Sequence, residues 1–297
     1  MADFAIIGYV VIDMILGTQG ERVQLGGAPT YGALVAKKLR KSVKMVTKIG
    51  GDIERELLSQ LKELAGDIDG MMIRDATTTR FRIDLRGPER KSRGGALFCE
   101  EIKPEDVKDL PDAVVIAPVM WEVPWPTLIS IAAEVLAVDI QGFIRTHLRS
   151  GDASILLKRW IDGGMMKRVD IYKSTEDELR DFTGEPDTLR GLQRITKSGP
   201  GIAIATQGSK GALMVAGDGH YKIPAFKIQK MDDMGLGDAF TAGFFCEYLD
   251  DRDPSWCASM GAAMASCIGE SVGPRIDASH SEVMERAEDV YNRIIRL

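Results

Sequence analysis

The chain has 297 residues, 44% of them hydrophobic and 28% charged, with a net charge of −6 at neutral pH. This length and composition suit one large globular domain or two modest ones, and the acidic balance gives no electrostatic reason to expect nucleic acid or an anionic membrane as a partner. No apolar run nears the roughly eighteen residues of a membrane span. The four cysteines (Cys99, Cys246, Cys257, Cys267) form no CxxC pair, and three scattered histidines argue against a zinc site. With no secretory leader recognisable, reduced thiols in a cytoplasmic protein are the expectation.

Residues 4–12 are nearly all apolar and read as a buried strand ending at Asp13. Residues 14–25 alternate polar and apolar around Gly17 and Gly20, a hairpin-like excursion. Gly26-Gly27-Ala28-Pro29 then opens a helix to Leu39, with Pro29 in the first turn, where its missing N–H costs nothing. A strand is expected at 43–49 and an amphipathic helix at 54–64. Residues 77–98 alternate on either side of Gly87-Pro88 and read as an exposed antiparallel hairpin.

Strands and helices alternate from there: strand 113–117, helix 126–136, strand 137–140, helix 155–160, strand 169–172, helix 176–182 stopped by Gly184, and strands 201–206 and 212–215 around a glycine-rich turn. Helices follow at 239–248, 254–268 and 281–295. The alternation predicts an α/β fold with a mostly parallel central sheet flanked by helices. It is read as a single domain over 1–297, with a small β lid from segments near 14–25 and 77–98.

In open α/β sheets ligands bind beyond the carboxyl ends of the strands. That rule singles out Asp13, residues 139–145, 173–178 and 206–211, and the glycine segment at 235. The last is the most specific. Gly235-Leu236-Gly237-Asp238 directly precedes an apolar helix, so paired glycines can aim backbone amides at an anion while the helix N-terminus adds positive potential. Asp238 is then placed to take a proton from a substrate hydroxyl; the alternative is that it merely caps the helix. A Walker-type GxxxxGK[ST] loop is absent, and no GxGxxG follows the first strand.

The segment 232–238 resembles the D-T-x-G-A-G-D motif of the ribokinase-like (PfkB) carbohydrate kinases, with Asp233 for the usual Thr and Leu236 for the usual Ala. Gly26-Gly27 resembles the family's early di-glycine motif, and Asp13 its substrate-binding aspartate. Residues 173–178 resemble its N-x-x-E segment, and 206–211 its T-x-G-x-x-G nucleotide loop. Five such matches in the right order are strong where any one alone is weak.

The resemblance implies ATP-dependent phosphorylation of an alcohol, with Asp238 as base and the amides of Gly235, Leu236 and Gly237 holding the phosphate charge. It implies Mg²⁺ organised by Glu178 and Thr175 through water, nucleotide contacts from Lys173, Thr206, Gly208 and Gly211, and a monovalent cation as a further candidate cofactor. Asp13, Gly26, Gly27, Tyr31, Gln141 and Arg145 are the candidate acceptor contacts. For Asp139 and Arg145 a buried ion pair is the alternative role.

The chain departs from the family at two sites. Tyr31 and Thr175 stand where asparagines are usual, and the one asparagine in the chain is Asn292. The short spacing from Asp13 to Gly26, with Tyr31 and the 139–145 segment, looks more like the branch that includes inositol-kinase-like proteins. The expected acceptor is a small sugar, sugar acid, polyol or cyclitol, handled by a monomer or homodimer. The rivals are a nucleoside kinase, whose base slot Tyr31, Phe81 or Phe98 would line, and a non-catalytic sensor, which would have no need of Asp238.

Overall fold

The computed structural model describes residues 2–17, 20–66, 68, 71–86, 91–148, 153–229 and 232–297. In chain order the elements are Phe4–Ile7 (β1), Val11–Gly17 (β2), Gly20–Gly26 (β3), Ala28–Lys38 (α1), Val43–Val46 (β4), Ile49–Gly50 (β5), Arg55–Ala65 (α2), Met72–Ile73 (β6), Arg80–Asp84 (β7) and Lys91–Leu97 (β8). Ala113–Ile116 (β9), Trp125–Ser130 (α3), Val135–Asp139 (β10), Gln141–Leu148 (α4), Ala153–Asp162 (α5), Ile171–Thr175 (β11), Glu176–Thr183 (α6) and Thr188–Ser198 (α7) follow. Ile202–Thr206 (β12), Ala212–Ala216 (β13), Gly219–Ile223 (β14), Leu236–Tyr248 (α8), Pro254–Gly269 (α9), His280–Asn292 (α10) and Ile295–Arg296 (β15) complete the chain.

Among the described residues the main sheet runs β15-β14-β13-β12-β11-β10-β9-β1-β4. The six strands from β12 to β4 are parallel, and β13 to β15 continue antiparallel. Side chains alternate across a strand, which sorts the core into two layers. Ala5, Ile7, Val114, Ile116 and Val138 face one way, onto Phe143, Trp160, Phe182, Leu192 and Ile195 of α4 to α7. Phe4, Ile6, Val115 and Ile204 face the other, onto α1, α8, α9 and α10 through Ala36, Phe244, Phe245, Ala258 and Val290. Burial on both faces is why these strands read as continuous apolar runs. No helix of the described residues is long and apolar enough to cross a membrane.

A second, four-stranded sheet runs β3-β2-β7-β8 and is built from the two excursions seen in the sequence. The Gly87-Pro88 turn expected between β7 and β8 lies outside the described residues.

Three expectations need correction. The apolar run 4–12 is not one strand: it breaks after Ile7, and Asp13 lies inside β2 of the smaller sheet. At the break the backbone leaves the main sheet for side-chain acceptors, Tyr9 N–H donating to Glu122 (2.9 Å) and Val10 N–H to Thr47 Oγ1 (2.7 Å). The helix read at 126–136 stops at Ser130, because Val135 and Leu136 are taken into β10 opposite Ala113 and Val114. Residues 141–148, for which no element was expected, are helix α4, so Gln141 and Arg145 stand in its first turns.

Candidate active site

Helix α8 begins after Gly235, whose φ of 72° lies in the left-handed region. A Cβ there would sit 2.3 Å from the Tyr31 ring, so both the backbone angle and the space exclude a side chain. Leu236, Gly237 and Asp238 follow in the first turn, whose N–H groups have no partner within the helix. The capping residue is the glycine, not Asp238, which is half-buried at the third helical position.

The ammonium of Lys173, in the middle of β11, faces this turn. Its Nζ is 3.0 Å from where a Cβ of Gly237 would be, and 2.6 Å from Asp139 Oδ2 at the end of β10. Both side chains of this pair are almost wholly buried. Burial alone would push the Lys173 pKa down; Asp139, then Glu178, and lastly Asp238 carry it above its ordinary value. The result is a fixed positive charge beside an amide-lined turn, an arrangement suited to phosphate oxygens. Gly237→Ala would press a methyl against that ammonium. We expect it to lower kcat about ten- to hundred-fold through misplacement alone, with the melting temperature near wild type, as steady-state kinetics and a thermal melt would show.

On the other side lies Asp13, 3% exposed, paired in register with Gln24 of β3 and Phe81 of β7. A Cβ at Gly26 would come within 2.2 Å of its carboxylate, which explains the first glycine of the pair by close approach. Gly27 caps α1, and Thr30 Oγ1 donates to the Gly26 carbonyl (2.7 Å). Tyr31 is buried beneath Gly235, and its hydroxyl accepts from Gln24 Nε2 (3.3 Å). Burial first, then Asp13, Asp232 and Asp238, push the phenol pKa up, so it keeps its proton. Asp232 is buried, accepts from Met234 N–H (3.1 Å) and Gly273 N–H (3.1 Å), and is ion-paired to Arg22 of β3.

Thr175 and Glu178 form a capping box at the start of α6: Thr175 N–H donates to Glu178 Oε2 (2.8 Å) and Glu178 N–H to Thr175 Oγ1 (3.2 Å). One Glu178 oxygen is therefore engaged by the backbone. Thr206 ends β12 with its hydroxyl on the Ser174 carbonyl (3.3 Å), and Gly208 and Gly211 bracket one tight turn beyond it. Gln207 in that turn bonds Glu176 (2.8 Å), which ties the 206–211 loop to α6. Gln141 N–H donates to Asp139 Oδ1 (3.2 Å), and Arg145 Nη1 to the Val119 carbonyl (3.3 Å). The strand ends and the smaller sheet thus gather residues from positions 13 to 238.

Three side chains escaped the sequence reading. Arg22 and Gln24 stand two apart on β3, and their alternation with apolar neighbours was the available signal. Glu122 is wholly buried and accepts N–H bonds from Tyr9 (2.9 Å), Val119 (2.6 Å) and Met120 (2.9 Å). It stands as a lone carboxylate between Trp121 and Val123, a pattern that asks for such partners.

Comparison with known proteins agrees with this geometry. A family model described as "pfkB family carbohydrate kinase" matches residues 150–281. A cytidine kinase of Thermococcus kodakarensis is 28% identical over 276 residues, covering 89% of this chain and 95% of its own length. Among solved structures, a pyrophosphate-dependent kinase in the ribokinase family, complexed with a pyrophosphate analogue and myo-inositol, superposes with a TM-score of 0.71 at 21% identity, over 95% of this chain and 99% of the other. Adenosine kinase from Sinorhizobium meliloti gives 0.77 at 19% identity, over 96% and 99%. The fold, the ordered motifs and these likenesses point the same way: residues 150–281 match the pfkB carbohydrate kinase family, and the chain has the fold of the ribokinase structures.

Proposed function

We propose that the protein transfers the γ-phosphate of ATP to a hydroxyl of a small sugar, sugar acid, polyol or cyclitol. It would work as a single kinase domain in the cytoplasm, with the four-stranded sheet as its lid. The observation that carries this reading is the α8 turn, with Asp238 inside it and the Lys173 ammonium against Gly237. Asp238 accepts the acceptor's hydroxyl proton as that oxygen bonds to phosphorus and the bond from phosphorus to the leaving ADP oxygen breaks. The amides of Gly235, Leu236 and Gly237 and the Lys173 ammonium hold the phosphoryl charge, so positioning and electrostatics supply most of the acceleration.

Asp13 takes neighbouring hydroxyls of the acceptor in bidentate fashion, which suits a vicinal diol. Gly26 and Gly27 let the chain pass close by, while Tyr31, Gln141 and Arg145 bound the acceptor side. Thr206, Gly208 and Gly211 line the nucleotide. Mg²⁺, held through water by Glu178 and Thr175, would neutralise phosphate charge. The donor set fits: one Glu178 oxygen is engaged by the backbone, which leaves the second for a metal-bound water.

A nucleoside acceptor is the second reading, and one feature favours it. Phe81 lies beside Asp13 in register and meets Phe98 edge-on (6.3 Å), which in turn meets Trp121 (5.7 Å). Such a wall would suit the face of a base, and the relative from Thermococcus kodakarensis is a cytidine kinase. A panel of sugars, polyols, inositols and nucleosides, each with ATP and Mg²⁺, separates the two. Turnover of the polyhydroxylated set is expected, and turnover of nucleosides alone would overturn the preferred acceptor class.

A further inference from the structure

Arg22 belongs to the lid, yet its guanidinium reaches the loop that shapes the phosphate-binding turn. Nη2 pairs with Asp232 Oδ2, and Nε donates to Gln24 Oε1 (3.0 Å). From there two routes converge on Gly235. One follows the chain from Asp232, whose carboxylate also holds Met234 N–H and Gly273 N–H (3.1 Å each). The other passes from Gln24 Nε2 to the Tyr31 hydroxyl (3.3 Å), and the Tyr31 ring fills the space beneath Gly235.

The two ends of the ion pair differ in setting. The Asp232 side chain is 2% exposed and the Arg22 side chain 32%. A carboxylate that deep needs its counter-charge: removing the guanidinium leaves a buried ion short of a partner, and the loop carrying it is then free to relax toward water.

We infer that Arg22 is a positioning residue that fastens the 232–237 turn to the seated lid, so that the turn holds its phosphate-binding shape only while the lid strand β3 is docked. The inference rests on the kinase reading for its catalytic consequence but not for its structural one. The two are tested separately. Hydrogen exchange by mass spectrometry on the protein without ligands, comparing wild type with Arg22→Met and Arg22→Lys, reads the turn directly. Exchange at the amides of 233–237 should quicken about tenfold or more in Arg22→Met and return part-way in Arg22→Lys, with α9 and the main sheet unchanged.

An unchanged turn, or exchange rising equally along the whole chain, would overturn the proposal whatever the activity. With an accepted substrate in hand, kcat of Arg22→Met should fall about ten- to hundred-fold with acceptor KM little moved. A rise in KM alone would assign Arg22 to acceptor binding and sink the positioning role. Failure of the wild type to phosphorylate any acceptor would count against the kinase reading and leave the exchange result standing.

Discussion

Asp238→Asn is expected to lower kcat by about 10²–10⁴-fold, the usual range for loss of a positioned base, while nucleotide affinity stays close to that of the wild type. The amide keeps the size of the carboxylate at the third position of α8 but cannot take a proton. The loss corresponds to about 3–5 kcal/mol in the barrier. The anion-binding features are independent of it: the Gly235 backbone, the first-turn amides and the buried Lys173–Asp139 pair all remain. Steady-state turnover, alongside calorimetric titration with an ATP analogue, tests both halves. Full activity would remove Asp238 from the chemistry; lost nucleotide binding would place it in the donor site.

Glu122→Ala should be the most damaging single change to stability. Its carboxylate serves three buried backbone N–H groups, two from the loop after β9 and one from the break between β1 and β2. A buried donor left without a partner costs about 1–3 kcal/mol, and partial relaxation brings the expected total to about 3–5 kcal/mol. Denaturant melts would measure it. The pH dependence has a definite sign. Burial raises the Glu122 pKa, and the three backbone bonds only partly offset this. Its folded form therefore binds a proton more tightly than the unfolded chain. The contribution of Glu122 is complete below the unfolded value and declines as pH rises through the folded one. The difference between wild type and Glu122→Ala should accordingly be larger near pH 5 than near pH 8.

Much of the architecture was legible because it is local. Both faces of the central strands are buried, so 113–116 and 202–206 announce themselves as apolar runs. Gly184 stops α6 in the left-handed conformation, as its position suggested. The α8 turn could be read because glycine spacing and helix onset lie within seven residues of each other. What could not be read depends on partners far along the chain. The division of 4–12 is dictated by Glu122 and Thr47, 113 and 37 residues from the amides they bind. The start of α4 follows from Asp139, which is itself held by Lys173 from the next strand. Helix α7 is a different case: Asp187 caps it and Leu192 and Ile195 share its buried side, so the signal was present and went unused. At the site, Asp13, singled out by its motif, lies inside β2 of the smaller sheet rather than at the end of the first strand, and Arg22 and Gln24 gain meaning from the bond of Gln24 to Tyr31.

The smaller sheet draws on residues 11–26 and 80–97, whereas Asp139, Lys173, Glu178 and Asp238 all follow from the later part of the chain. On the proposed reading, Asp13, Gly26, Gly27 and Tyr31 on the acceptor side and the phosphate-handling residues fall on different stretches of sequence, with Gln141 and Arg145 on the later one. The family match at 150–281 falls on the second of these. Modularity of this kind lets the first 120 or so residues drift toward a new acceptor while the transfer machinery stays fixed. It also marks a practical splice point: exchanging the segment before β10 with that of a relative should shift substrate preference, with the Arg22–Asp232 pair and the Tyr31–Gly235 contact among those across the seam to be matched.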